Sequence, residues 1–331
     1  MRFEIMEVTL RDGSYIIDFG FDSVITTAMV SELDRIGFEK IEIGHGLGLG
    51  ARGLKHGVSL CTDEEYLEAA AKGIRNAEFG TFLIPGIGSK NDLEIAASYG
   101  MGFVRIGTNI TQAALAAPYV RFAQSLGMTV TNNLMKSYIV EEEKMVEYAR
   151  LCLDFGTDIV YIVDSAGGMY PEEVRSIISN LKNSLDCKIG FHGHNNLGLA
   201  AVNSLVALEA GADIVDASMN GMGRSAGNAQ TEILVAILAE KDPKYHDMLL
   251  DLLELVDRYV TPIMPKPQGI NTRDVWVGHS LLHSSYLSTI ERAAWRYGVS
   301  VSKMIAEVGR MKLASLTEDM ALDVARRLRK E

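Results

Sequence analysis

Two histidines two positions apart, in Phe191-His192-Gly193-His194-Asn195, have a spacing that permits chemistry. They close an apolar run, Lys188–His192, that reads as a β-strand, and alternate residues of a strand point to one side. Two imidazoles and a carboxylate can hold a divalent cation and leave coordination positions open, as a catalytic metal requires. The spacing alone fits two hydrogen-bonded strand-end histidines equally well. A carboxylate is available at Asp12, preceded by Arg11, at the end of another strand-like run, Phe3–Leu10.

For these positions to meet, the chain must bring strand ends together. The sequence repeats one phrase, a helix-like stretch, often a Gly, then four to six apolar residues ending in polar ones. Its further instances are Lys40–Ile43, Glu78–Ile84, Gly102–Ile106, Met128–Asn133, Asp158–Val163 and Asp213–Ala217, which makes eight strands in all. Helical spacing of apolar residues marks Ser23–Ile36, Asp63–Ile74, Thr111–Leu126, Val140–Phe155, Pro171–Leu181 and Leu197–Ala210. Eight strand–helix units predict a closed (β/α)8 TIM barrel, whose chemistry lies at the strands' C-terminal ends. Those ends carry Arg11-Asp12, Glu42 to His45, Arg105, Asn132-Asn133, Asp164-Ser165, His192 to His194 and Ser218 to Asn220. Polar groups that would be costly in a core thus collect at one mouth. The loop Gly44-His45-Gly46-Leu47-Gly48-Leu49-Gly50 lacks the ending of a phosphate loop and is expected to be a mobile lid.

The strand phrase stops near residue 240, dividing the chain into a barrel, 1–240, and a helical appendage, 241–331. After Pro262, Pro265 and Pro267 the spacing predicts helices over Thr272–Tyr297, Ser300–Met311 and Thr317–Lys330, with His279 and His283 on one face of the first. The last helix is amphipathic, suited to packing on its own domain or to a partner surface. A formal net charge of −11 over 331 residues, with no basic cluster flanked by aromatics, argues against nucleic acid and anionic membranes. No run approaches the roughly 18 apolar residues of a membrane span. The three cysteines, without CxxC spacing, argue against a disulfide framework or thiolate metal site, so a cytoplasmic protein is expected.

Thr9-Leu10-Arg11-Asp12-Gly13, the paired-histidine strand, and Asn220-Gly221-Met222-Gly223 through Ala226-Gly227-Asn228-Ala229 together resemble the DRE-TIM metallolyase superfamily. Within it the chain is similar to the 4-hydroxy-2-oxoacid (4-hydroxy-2-oxovalerate) aldolases over nearly its whole length. The stretches that carry this are Glu42 to Gly46, Leu83 to Gly88, Val163 to Gly168 and, near the C-terminus, Arg296 to Val299 with Glu318 to Ala325. The resemblance implies a class II aldolase that cleaves or forms a 4-hydroxy-2-oxoacid, with pyruvate and an aldehyde as the other side. It implies Asp12, His192 and His194 as ligands of Mn²⁺, or of Mg²⁺ or Co²⁺, with Asn228 a weaker ligand or a loop residue capping the last helix. Arg11 would stabilise the developing enolate, and Ser165 would hold the substrate carboxylate. Glu42 would hydrogen-bond the site, and His45 would be a base, a supporting residue or a structural loop histidine. The resemblance also implies a homo-oligomer and an acylating aldehyde dehydrogenase as partner of the C-terminal helices.

Two positions depart from the aldolase pattern. Tyr15 stands where the group has a His three residues after the metal Asp, and His283 stands where it has a Tyr before Ser284-Ser285. The expectation is an exchange in which His283 and Tyr15 share the acid/base work, since imidazole titrates nearer neutrality than a phenol. Drift with a changed substrate is the other reading. Arg224 resembles an Arg of the acyl-CoA-dependent synthases of isopropylmalate and homocitrate type, so a Claisen-condensing acyltransferase is the alternative. A non-catalytic scaffold is a third.

Overall fold

The computed structural model describes residues 3–53 and 55–330; residues 1, 2, 54 and 331, which the two expected segments include, lie outside the described residues. The strands are β1 (Glu4–Glu7), β2 (Lys40–Glu42), β3 (Glu78–Leu83), β4 (Phe103–Asn109), β5 (Thr129–Met135), β6 (Ile159–Asp164), β7 (Lys188–Gly193) and β8 (Ile214–Ala217). All pair in parallel in chain order, and β8 closes on β1 from Glu4↔Ile214 to Glu7↔Ala217. The (β/α)8 barrel expected from the repeated phrase is therefore the fold.

Around it lie α1 (Ser23–Ile36), α2 (Asp63–Gly73), α3 (Lys90–Ser98), α4 (Ala117–Ser125), α5 (Glu142–Asp154), α6 (Pro171–Ser184), α7 (Ala200–Glu209) and α8 (Thr231–Ala239). Local chemistry sets many of their ends. Thr62 and Glu65 form a reciprocal capping box on α2, and Gly37, at φ +107°, closes α1 in the left-handed conformation that favours glycine. The helix expected over 111–126 is instead a 3₁₀ segment, Ile110–Ala116, followed by α4. Pro118 lacks an N–H and is tolerated only in a helix's first turn, so the α-helix starts beside it. Helices α3 and α8 were not anticipated from periodicity.

Inside the barrel Met6, Val8, Phe103, Ile159, Tyr161, Val163 and Ile214 form one apolar cluster. Gly190 makes room for it, since a Cβ there would lie 2.5 Å from the Tyr161 ring. Two residues beyond Phe103 and Ile214 on the same inward faces come Arg105 and Asp216, both fully buried. The barrel interior thus turns from apolar to charged as the strands approach their C-terminal ends.

Helix α9 (Pro243–Leu255) lies beyond the expected division at residue 240, yet its Tyr245, Met248, Leu252 and Leu255 belong to the barrel's own core. A separate core joins α10 (Thr272–His279), α11 (Leu287–Tyr297), α12 (Val301–Arg310) and α13 (Glu318–Leu328). The apolar stripe of α13, including Ala321, Leu322, Val324 and Ala325, packs into that core. The single helix expected over Thr272–Tyr297 is broken. Leu282 N–H bonds to Val277 O and Leu281 N–H to Gly278 O, both at 3.0 Å, with Leu281 at φ +47°. This is a Schellman ending, here with leucine in the left-handed position. His279 and His283 therefore do not share a helical face: His279 stays exposed on α10, while the reversal carries His283 inward. Among the described residues no helix is long and apolar enough to cross a membrane.

Candidate active site

The chain passes from β1 into a 3₁₀ turn, Asp12–Ile17, in which residues three apart lie over one another. Asp12 and Tyr15 consequently face the same way. From β7 and the residue after it, His192 and His194 point inward, and ligand atoms of Asp12, His192 and His194 all lie within 4.8 Å of one another. His192 Nδ1 is 2.8 Å from Asp216 Oδ2, and His194 Nδ1 is 3.2 Å from Gly227 O. With Nδ1 of each ring so engaged as donor, the Nε2 lone pairs are free, and His192 Nε2 lies 3.8 Å from Asp12 Oδ2. Histidines that hold a metal are oriented in this manner by a carboxylate or carbonyl behind them.

Asn228 sits beside this group through a β-bridge with His194. Its Nδ2 donates to Asp12 Oδ2 (2.7 Å) and to Met222 O (3.0 Å), which fixes the amide orientation and leaves Oδ1 buried without a partner. An orphaned buried oxygen beside two imidazoles and a carboxylate fits a divalent cation that prefers mixed N/O donors. Burial alone would raise the Asp12 carboxyl, but the charges of Arg11, His192, His194 and Arg224 outweigh it and hold the group below the usual carboxylate range. Burial, then His192 and Arg224, lowers the His194 imidazole to about 3. Both groups are thus in their metal-binding protonation states at neutral pH.

Behind these residues runs an arc of buried contacts that reaches from Asp12 round to His192. Arg11 Nη1 donates to Asp12 Oδ1 at 2.7 Å, and Arg11 Nη2 lies 2.8 Å from Glu42 Oε2. The same Glu42 oxygen accepts from Arg105 Nη1 at 2.9 Å, and Arg105 Nη2 bonds to Asp216, which holds His192. Phe82 underlies Arg11 and Tyr161 underlies Arg105, at 4.7 and 4.6 Å to the ring centres. Glu42 is fully buried and does not line the cavity. Expected to hydrogen-bond the site and grouped with the substrate-binding residues, it reaches the site through Arg11, which its contacts aim.

The cavity above the arc, about 220 Å³, is lined by Arg11, Asp12, Tyr15, Ser165, His192, His194, Arg224, Lys136 and His283, among others. Ser165 Oγ accepts from Lys136 N–H at 3.0 Å, leaving its own proton to donate. His283 Nδ1 lies 2.6 Å from Ser285 Oγ, and Nε2 lies 3.3 Å from Arg224 Nη1. Ser285 N–H also donates to His283 Nδ1, at 3.2 Å, so Ser285 anchors that edge of the ring while Arg224 faces Nε2. Burial, then Arg224, Lys136 and His194, keeps His283 well below the ordinary imidazole range, so it is neutral. Burial raises the Tyr15 phenol more than Arg224 lowers it, so Tyr15 is a proton donor.

His45 does not join them. Its Nδ1 accepts from Leu47 N–H (3.1 Å), its Nε2 lies 3.3 Å from Gly57 O, and its ring stacks on Phe19. With both nitrogens on the backbone and no place in the cavity wall, His45 is a loop-fixing residue, the structural one of its expected roles and not the base. The glycine loop is likewise a packed wall and not a lid. Leu49 N–H bonds to Phe82 O, Gly46 O accepts from Arg11, and a Cβ at Gly48 (φ +86°) would lie 1.9 Å from Phe82 O.

Four site residues were missed or undervalued in the sequence. Arg105 and Asp216 carry a signal, being charges on inward positions of apolar strands. Arg224 reads in the sequence only as a synthase-like feature, and the signal at Lys136 is a cation just past the end of β5, at φ +58°.

An HMGL-like family model matches residues 2–258, and a model of the DmpG-like communication domain matches 268–330. The chain is 40% identical over 326 residues to a 4-hydroxy-2-oxovalerate aldolase of Bacillus thuringiensis, covering 98% of this chain and 96% of that one. It is 39% identical over 329 residues to the protein of that name in Carboxydothermus hydrogenoformans, covering 99% and 98%. The carboxyl transferase domain of Rhizobium etli pyruvate carboxylase shares the fold, with a TM-score of 0.77 at 17% identity over 98% of this chain and 61% of that one. With family models spanning the barrel and the appended helices, and full-length relatives of one name, this chain belongs to the HMGL-like family, among the proteins called 4-hydroxy-2-oxovalerate aldolase.

Proposed function

We propose that the chain is a cytoplasmic, divalent-metal-dependent aldolase that cleaves a 4-hydroxy-2-oxoacid to pyruvate and an aldehyde, or runs the reverse addition. The observation that carries the reading is the triad Asp12, His192 and His194, with both Nε2 atoms free, at the floor of a cavity flanked by Arg11. These three residues would hold the cation, with Asn228 Oδ1 as a further donor. Mn²⁺ is the metal we assign, with Mg²⁺ and Co²⁺ as substitutes that a mixed donor set accepts. When bound, it supplies Lewis acidity to the 2-keto group and a template for the oxoacid.

The chain's own groups do the rest. Arg11, clamped by Glu42, aims its guanidinium at the keto oxygen, where negative charge grows as C3–C4 breaks. Ser165 donates to the 1-carboxylate. His283 Nε2 takes the proton of the 4-hydroxyl, and Tyr15 donates a hydrogen bond to that oxygen as it becomes the aldehyde's. The electron pair of the broken bond remains with C3, which regains a proton to give pyruvate. The cavity of about 220 Å³ falls below the roughly 300–1,000 Å³ of sites for drug-sized ligands, in keeping with a small oxoacid.

The C-terminal helices, matched by the communication-domain model, are where we place a partner of acylating aldehyde dehydrogenase type. The catalytic reading is tested with manganese-loaded protein. Pyruvate release from 4-hydroxy-2-oxoacids and deuterium exchange into the pyruvate methyl group are expected, both abolished by a chelator and restored by Mn²⁺. His194→Ala is expected to lose about 10³-fold or more in turnover, the several kcal/mol a Lewis acid contributes. Absence of manganese binding by calorimetry, or turnover indifferent to the chelator, would overturn it.

A further inference from the structure

The charges of the cavity divide into two sets. In the floor, the three carboxylates Asp12, Glu42 and Asp216 and the two guanidiniums Arg11 and Arg105 leave one negative charge. A divalent cation and the carboxylate of a bound 2-oxoacid bring that set to neutrality. Two cations then remain in the cavity wall, Arg224 and Lys136. Among the described residues neither has a carboxylate within ion-pair distance. Lys136, 7% exposed, directs Nζ to the neutral Tyr286 hydroxyl at 2.8 Å and to Ala314 O. Arg224 meets His283 Nε2 and the Tyr15 ring, and its Nε is buried without a partner.

Nearby carboxylates are committed elsewhere. Asp164, at the end of β6, accepts from the N–H groups of Gly168 and Met169, and Asp274 bonds to Ser225 and caps α10. Burying two like charges without an opposite one is costly, and here the strain is visible: burial, then Arg224, lowers the Lys136 ammonium to about 8. Both cations act on His283, which lies where the 4-hydroxyl would be handled. They are therefore at the aldehyde end of the substrate.

We propose that Arg224 and Lys136 form a binding subsite for a second anionic group, so that the substrate is a 4-hydroxy-2-oxoacid whose aldehyde half ends in a carboxylate or a phosphate. This rests on the aldolase reading above and narrows it. An uncharged aldehyde half would leave both cations uncompensated.

The test uses the manganese-loaded full chain in the addition direction, with pyruvate and a panel of aldehydes. Succinic semialdehyde and glyoxylate carry a carboxylate, glycolaldehyde phosphate carries a phosphate, and acetaldehyde and butanal are neutral. At least one anionic class is expected to exceed the neutral aldehydes by about 30-fold or more in kcat/KM, the scale of hydrogen bonds to charged groups. Which anionic class wins separates carboxylate from phosphate. Arg224→Gln and Lys136→Met are each expected to lower the anionic-to-neutral ratio about tenfold, while Arg224→Lys and Lys136→Arg keep most of it. Thermal unfolding of each variant checks the fold. A ratio near one in the natural chain, or one unmoved by Arg224→Gln and Lys136→Met, overturns the subsite. If deuterium exchange into pyruvate is intact in that case, the aldolase reading survives alone; if exchange is absent from the start, both fall.

Discussion

At the floor of the cavity each of Asp12, Arg11, Glu42, Arg105 and Asp216 has an opposite charge within hydrogen-bond distance, whereas at the rim Arg224 and Lys136 make their direct contacts with neutral groups. The floor comes from β2, β4, β7 and β8, fixed by the barrel ladder, and from the 3₁₀ turn that follows β1. The rim comes from loops after β5 and β8 and from the reversal after α10. An arc of paired charges keeps its geometry without any ligand, so it can be ready for the same oxoacid end in every turnover. Unpaired cations are a device of another kind, since their energy is recovered only when something anionic arrives.

The sharpest way to break this contrast is to remove one cation from each region. Arg105→Met leaves Glu42 and Asp216 buried without their shared partner, and it is expected to cost about 3–5 kcal/mol in chemical denaturation, the scale for breaking a buried ion pair. Arg224→Met removes a charge that has no carboxylate partner, and its stability is expected to stay within about 0.5 kcal/mol of the natural chain, or rise. Equal losses in the two variants would mean that the rim is also paired.

A smaller effect is expected from the acid/base pair. His283→Ala should lower turnover about 10²–10³-fold with the metal still bound, the usual contribution of a placed general base, and Tyr15→Phe about tenfold. Near-normal pyruvate formation by His283→Ala would end the proposed exchange of roles. Because Arg224 opposes protonation of His283 in the free protein, an anionic aldehyde half lying against Arg224 should strengthen the base. The loss in His283→Ala should accordingly be larger with an anionic aldehyde than with a neutral one.

What was legible in the sequence follows the same division. The eight strands, the barrel and the Asp12, His192 and His194 cluster could be read because short apolar runs and the polar residues that end them are local patterns. Arg105 and Asp216 were half-legible, as charges inside apolar runs, but their joint role needs β4 beside β8 across the barrel. The reach of His283 was legible only through the resemblance, since helical spacing alone set it on one face with His279. It depends on Leu281 adopting a left-handed conformation that leucine rarely takes, held by bonds to Val277 and Gly278. The role of His45 stayed open for the converse reason, since strand-end position says nothing about a ring whose two nitrogens are taken by Leu47 and Gly57.

The last prediction concerns a buried carboxylate that the arginine arc excludes. Glu7 ends β1, fully buried, and accepts only from uncharged donors: Thr9 N–H and hydroxyl, Met219 N–H and the Thr231 hydroxyl. Asp216 is equally buried, but Arg105 and His192 hold it below its ordinary range. Without such a cation, burial outweighs the hydrogen bonds at Glu7 and raises it from 4.5 to about 7. A carboxyl whose folded value is raised stabilises the fold fully below pH 4.5 and loses that contribution as pH climbs through 7. Between pH 5 and 7 the natural chain should lose about 2 kcal/mol of unfolding free energy that Glu7→Gln does not lose. Parallel pH profiles for the two proteins would mean that Glu7 is ionised throughout, and that neutral donors alone can hold a buried carboxylate in this barrel as firmly as arginine does.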